Sequence, residues 1–155
     1  MENKEFKKLF SQIAEELGFK EISKKLYVMS KNDLNAYIDL QKSVYDADSY
    51  YFNFGFTVDC DPFDVKHVPG YLVFGRLEVG GKILFEPRNL ADIESVKIEI
   101  ISQLNSTVKI AIDYDLLEFY ERNPKFKALI WPTLQPYVNR LKNKKLSSNK
   151  DSHAI

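Results

Sequence analysis

The residues best placed to do chemistry follow an aromatic stretch, in the run Val58-Asp59-Cys60-Asp61. An apolar segment feeding into Asp-x-Asp can supply one carboxylate as nucleophile and a second as acid or base, with magnesium neutralising a phosphate. Enzymes of that kind use parallel α/β sheets, and the chain around this run has no strand–helix–strand spacing. Pro62 follows at once, and the glycine-rich or Thr/Ser helper sequences are missing. Carboxylates that close a strand in a solvated turn are the commoner arrangement. The run reads as a turn.

Asp59, Asp61 and Asp64 together could hold a hard cation such as calcium, as weak candidates for a metal site. A calcium loop of the EF-hand type needs glycine at its sixth position and glutamate at its twelfth. Counting from Asp59, those places hold Asp64 and Gly70. Zinc would require Cys60, His67 and carboxylates to converge through tertiary folding, and His153 stands apart near the chain end. Cys60 with His67 as base, seven positions on, is a further nucleophilic pairing. A lone cysteine at a strand end is more often a small half-buried residue. Val79-Gly80-Gly81-Lys82 is too short to cradle phosphates and suits a hairpin turn. No cofactor is expected, and the balance weighs against an enzyme. A metal-dependent hydrolase centred on Asp59, Asp61 and Asp64 is kept as the alternative.

The elements that position these residues are clearer. Residues 34–43 (LNAYIDLQKS) and 50–59 (YYFNFGFTVD) alternate with period two. One face collects Leu34, Ala36, Ile38 and Leu40 with Tyr50, Phe52, Phe54, Phe56 and Val58. Two antiparallel strands with one buried side read this way, and the intervening VYDADS reads as a short polar link. Before them, Phe6, Leu9, Phe10, Ile13, Ala14 and Leu17 recur at steps of three and four, with Gly18 placed to stop a helix. Residues 19–22 and 26–29 then form a hairpin. Residues 71–79 read as a further strand, with 82–85 as a short return across Gly80-Gly81. Every connection is too short for a helical crossover, so the strands form an antiparallel meander.

The second half turns helical. Leu90, Ile93, Val96, Ile100, Ile101 and Leu104 have helical spacing, with Asn89 and Asp92 as cap candidates. Residues 105–112 are ambiguous, because Val108, Ile110 and Ile112 alternate inside a helical context. Asp115 with Glu118 predicts a capping box for a helix ending near Asn123-Pro124. Ile130, Leu134, Tyr137, Val138 and Leu141 mark a last helix, whose start Pro136 resets or kinks. Residues 142–155 are polar and lysine-rich and are expected to fray.

At 155 residues the chain suits one domain with a real core. Hydrophobic residues at 45% and aromatics at 14% exclude disorder over most of it. The 22 basic and 22 acidic residues cancel, which argues against a dedicated nucleic-acid binder. A single cysteine rules out an intrachain disulfide and fits a reducing, cytoplasmic setting. The first ten residues lack an apolar signal region and no apolar run approaches ~20 residues, so no membrane partner is expected.

The helix ending in Leu17–Lys20 (LGFK), the strand ending in Leu40–Ser43 (LQKS) and the run Phe52–Gly55 (FNFG) together resemble a largely bacterial family, domain of unknown function 4304. The likeness extends over roughly residues 5–125 and takes in the Arg76 strand; a tryptophan usual in that family within residues 80–87 is missing here. The family carries no established activity, so the resemblance implies a fold and leaves the function open.

The expected architecture is α+β: a single antiparallel sheet of four to five strands, packed on one face by the N-terminal helix and C-terminal helices. Residues 1–145 form the domain and 146–155 a flexible polar tail. The other sheet face gathers Tyr37, Asp39, Gln41, Tyr51, Asn53 and Thr57, with Arg76 joining if register allows. Such residues serve equally for cross-strand pairing and for binding, where rigid rings make contact and amides orient. The reading is a non-enzymatic interaction module using that polar-aromatic face toward another protein, in the manner of an immunity or antitoxin protein.

Overall fold

A computed structural model describes residues 1–63, 75–90, 92–129, 132 and 134–152 of the chain. Asp64, His67, Ile130 and His153, and residues 71–74 of the strand expected at 71–79, lie outside the described residues.

Helix α1 (Asn3–Glu16) buries Phe6, Leu9, Phe10, Ile13 and Ala14 along one stripe. Its end is fixed by two backbone bonds, from Gly18 N–H to Glu15 O (3.1 Å) and from Phe19 N–H to Ala14 O (2.9 Å). Gly18 sits at φ 92°, a region that costs glycine little, and this reversal drops Phe19 into the core at 3% exposure. The LGFK run is therefore a helix stop with a hydrophobic anchor.

Among the described residues six antiparallel strand segments follow: β1 (Lys20–Ser23), β2 (Leu26–Lys31), β3 (Leu34–Lys42), β4 (Tyr50–Val58), β5 (Gly75–Arg76) and β6 (Leu84–Phe85). The first four form a meander in sequence order. The β3–β4 register sets Ala36 against Phe56, Ile38 against Phe54 and Leu40 against Phe52 on one face. On the other face it sets Tyr37 against Gly55, Asp39 against Asn53 and Gln41 against Tyr51.

The expected hairpin beyond this point needs correction. Gly80-Gly81 does make a turn, closed by paired bonds between Val79 and Lys82. Residues 82–85 nevertheless do not return along β5. Arg76 pairs with Asn53, Leu77 N–H donates to Phe52 O at 2.8 Å, and Leu84 then pairs with Tyr51. β5 and β6 are thus two pieces of one edge strand on β4, interrupted by an outward loop. Counted as one edge strand, the two pieces give five strands among the described residues, in keeping with the expected four to five.

Among the described residues four further α-helices follow: α2 (Ile93–Ser106), α3 (Val108–Asp113), α4 (Leu116–Arg122) and α5 (Gln135–Ser152). Asp92 caps α2 by accepting from Glu94 N–H (3.1 Å), while Asn89 instead ends a 3-10 turn, Pro87–Asn89. Asp115 caps α4 through Glu118 N–H at 2.8 Å. The ambiguous residues 108–112 are helical. Val108, Ile110, Ala111 and Ile112 are all buried, so their alternation reflects enclosure on most sides rather than a strand. Pro136 lies in the first turn of α5, where its missing N–H costs nothing. The helix continues through 142–152, where fraying was expected, because lysine and leucine favour helix and no glycine or proline interrupts.

The helices cover the apolar face in two parts. Phe6 of α1 meets Tyr50 with centroids 5.7 Å apart, and Phe10 meets Phe52 edge-on at 4.9 Å. Phe119 of α4 meets Phe56 at 5.2 Å and Phe54 at 6.1 Å. Such tilted and edge-on pairs add about 0.5–1.5 kcal/mol each beyond their burial. Among the described residues no helix is long and apolar enough to cross a membrane. The architecture is α+β.

Phe54 also lies across Gly75: a Cβ built there would stand 2.3 Å from the ring. Gly75→Ala is expected to destabilise the fold by about 1–3 kcal/mol, the range for overpacked cores. Urea unfolding followed by tyrosine fluorescence would measure it, and an unchanged midpoint would contradict this packing.

Candidate functional site

The second sheet face is built by the odd positions of β3 and β4, which point away from α1 and α4. It divides into two hydrogen-bonded groups. Toward the β2–β3 turn, Ser30 Oγ donates to Asn35 Oδ1 (2.7 Å), and Asn35 Nδ2 donates to Thr57 Oγ1 (3.1 Å) and to Cys60 O (3.0 Å). Thr57 Oγ1 is 3.3 Å from the Tyr37 hydroxyl, which donates to Pro62 O at 3.0 Å. Leu26, Val28 and Tyr37 form a small apolar cluster beside them.

Toward the β3–β4 loop, Asn53 is the hub. Its amide nitrogen donates to Gln41 Oε1 (2.8 Å) and Asp39 Oδ2 (3.2 Å), while its oxygen accepts from Arg76 Nε at 3.3 Å. Three partners fix the orientation of the amide. The Arg76 guanidinium lies 3.8 Å from the centroid of the Tyr51 ring, a cation–π stack. Asn53 stands between Asp39 and Arg76 and bonds to both.

The picture of a solvent-open face is corrected at several positions. Tyr37 is 0% exposed, and Asn53, Asn35 and Thr57 are also buried. Tyr37 lies opposite Gly55, which carries no side chain, and its hydroxyl is satisfied by the chain after β4, so the ring is sequestered instead of presented. Asp39, Gln41, Tyr51 and Arg76 remain half-buried and within reach of a partner.

Burial raises the Asp39 carboxyl above its usual range, against the opposing effects of the Asn53 bond and the nearby Lys25 charge. Lys25, at φ 64° in the β1–β2 turn, is lowered by its own burial and by Lys7, Lys24 and Lys42.

The acidic candidates separate. Asp59 is ion-paired with Arg140 of α5. Asp61 accepts from Phe63 N–H at 2.9 Å, an Asx turn that shapes its own loop. A guanidinium on Asp59 opposes a cation there, and each carboxylate already has a structural duty. Among the described residues no three metal-ligating side chains cluster. Cys60 is exposed and receives a 3.7 Å contact from Asn35 Nδ2.

A feature absent from the sequence reading lies in the β3–β4 loop. Val44 and Tyr45 are 85% and 94% exposed. The loop beneath them is ordered: Ser43 Oγ accepts from Tyr45 N–H (3.2 Å), and Asp46 accepts from Asp48 N–H (3.0 Å) and Ser49 Oγ (2.8 Å). Asp48 accepts from Asn3 of α1 (2.7 Å), and Arg88 pairs with Asp46 at 3.5 Å. The signal was available in Asp46-x-Asp48-Ser49, which marks an Asx-type turn rather than a loose link.

Residues 10–63 match the family model described as Domain of unknown function (DUF4304). The match supports assignment to that family. It spans the second half of α1, the four-strand meander and the Asp59–Asp61 turn, and so includes the LGFK, LQKS and FNFG runs. The matched part holds the Asn35 and Asn53 networks, while Arg76 comes from beyond it. No curated protein and no solved structure matches the chain.

A carboxyl group whose pKa is raised on folding costs stability above its ordinary pKa, and that cost fades as pH falls below it. Asp39→Asn is therefore expected to raise the melting temperature at pH 7 relative to the natural chain and to lose that advantage near pH 3. Paired melting curves across this range would check it; a constant difference would refute the assignment to Asp39.

Proposed function

We propose that this protein is a non-enzymatic interaction module that binds another protein through the loop end of the β3–β4 hairpin. Val44 and Tyr45 would be the anchors. Gln41 and Tyr51 pair one step before the strands part, and Asp39 and Arg76 flank them, so together they form a polar-aromatic rim.

The observation that carries this reading is the almost complete exposure of Tyr45 on a loop ordered by side-chain hydrogen bonds. A mobile loop would lose conformational entropy on binding, whereas this one has already been fixed by folding. Tyrosine supplies a large amphipathic contact at low entropic cost and is enriched among binding hot spots. The rim offers both signs of charge and oriented amides, which suits recognition. The groups assembled there hold one another in place through Asn53. The complementary partner presents an apolar pocket for the Tyr45 ring, edged by polar groups.

Tyr45→Ala and Val44→Ser should leave the melting temperature within about 1–2 °C of the natural chain, because neither side chain packs in the core. Photo-crosslinking from position 45, followed by mass spectrometry in the native host, should join a discrete protein. Tyr45→Ala should weaken that complex by about tenfold or more, as hot-spot truncations of ~1.4 kcal/mol or more do. A partner retained at full affinity by both variants and by Tyr51→Ala would overturn the proposal.

A further inference from the structure

A second site lies at the opposite end of the β3–β4 ladder. A cleft of about 280 Å³ opens between the β2–β3 turn, the α3–α4 junction and α5. Leu34, Ala111 and Ile112, with Leu141 of α5 alongside, give it an apolar strip beside the polar Asn32, Lys145 and Ser148. Tyr114 and Tyr137 line its sides, the former 63% exposed.

Charge sets the ligand class. Asp115 lies in the lining but already caps α4 and pairs with Lys145 at 3.4 Å. Asp59, near Tyr137, is paired with Arg140. Among the described residues Lys31 and Lys144, which line the cleft from two different elements, have no carboxylate within ion-pairing distance. Asp33 is the remaining nearby carboxylate and acts on Tyr137. The balance leaves positive charge beside that apolar strip.

We propose that this cleft binds a small anion with an apolar or aromatic body, its charged group held by Lys31 and Lys144 and its body resting on Leu34 and Ile112 between the two tyrosines. The volume lies just below the ~300–1,000 Å³ of drug-sized sites, so the ligand is compact, of the size of an aromatic carboxylate. This site shares no residue with the hairpin surface and stands or falls separately.

Benzoate and its neutral counterpart benzamide, titrated into isotopically labelled protein and followed by amide NMR, form the test. Benzoate should perturb residues 31–34, 111–115 and 137–148 in one saturable process, and bind about fivefold more tightly than benzamide. Lys31→Ala with Lys144→Ala should remove that advantage while shifts for residues 44–51 stay in place. If the double variant misfolds, Lys144→Gln alone, on an exposed position of α5, should still halve the advantage, roughly. Equal affinity for the two probes, perturbations scattered over the surface, or an advantage that survives the lysine substitutions would each overturn the proposal.

Discussion

Tyr37 and Phe54 lie on neighbouring strands, on opposite sides of the sheet, and both are 0% exposed. The β3–β4 ladder is therefore screened from water on both faces along its middle, by two different physical means. On one face the screening is apolar, from Phe10, Phe119 and Phe126 against Phe52, Phe54 and Phe56. On the other it is polar, and burial there is tolerable because the side chains of Asn35, Asn53, Thr57 and Tyr37 all have hydrogen-bond partners. An unsatisfied donor or acceptor in such a place costs about 1–3 kcal/mol, so the network has to be complete. Its completeness fixes the strand register as firmly as the aromatic face does, since a slip of one residue would exchange the two faces.

The rest of the sheet follows from that central pair. β1 has four residues and a register shift between Glu21 and Ser23, and most of its side chains are exposed. The opposite edge is broken into β5 and β6 by the loop that contains Gly80-Gly81. Short, irregular and charged edges resist the addition of a further strand. Recognition by strand pairing is thereby disfavoured at both edges, and the end of the hairpin, where Val44 and Tyr45 project, is left as the prominent apolar feature of the sheet.

Period-two alternation in residues 34–43 and 50–59 was enough to assign both strands, their pairing and their apolar face. The spacing of Phe6 to Ala14, Gly18, and the Asp115–Glu118 pair likewise fixed helix positions, because each is a local signal with a local cause. The fate of the second face was not legible. Tyr, Thr and Asn suit a solvated sheet and a buried, satisfied one equally, and the choice between them rests on Tyr37 meeting Pro62 O, a contact spanning 25 residues that leaves no periodic trace. The same limit explains β6: Gly80-Gly81 announces a turn, but nothing nearby in sequence says that the returning segment will pair with β4. Of the candidate contact residues, Asp39, Gln41, Tyr51 and Arg76 stay within reach, while Tyr37 and Asn53 act as internal supports.

The two proposed sites occupy the two ends of one rigid element. Lys42 pairs with Tyr50 at the loop end, and Leu34 pairs with Val58 at the end that meets α5. At ~3.4 Å per residue these ends lie roughly 27 Å apart. Communication between them would need an element with two stable arrangements, and a ladder locked on both faces is poorly suited to supply one. α5 is different. It is held to the rest of the fold by Val138 in the core, with Leu134 just before it, and by ion pairs from Arg140 to Asp59 after β4 and from Lys145 to Asp115 at the start of α4, and both pairs are partly exposed. Exposed pairs contribute about 0–1 kcal/mol and weaken with salt, so the wall of the cleft is softer than its floor. A ligand in the cleft would act chiefly on the position of α5, leaving the hairpin tip as it was.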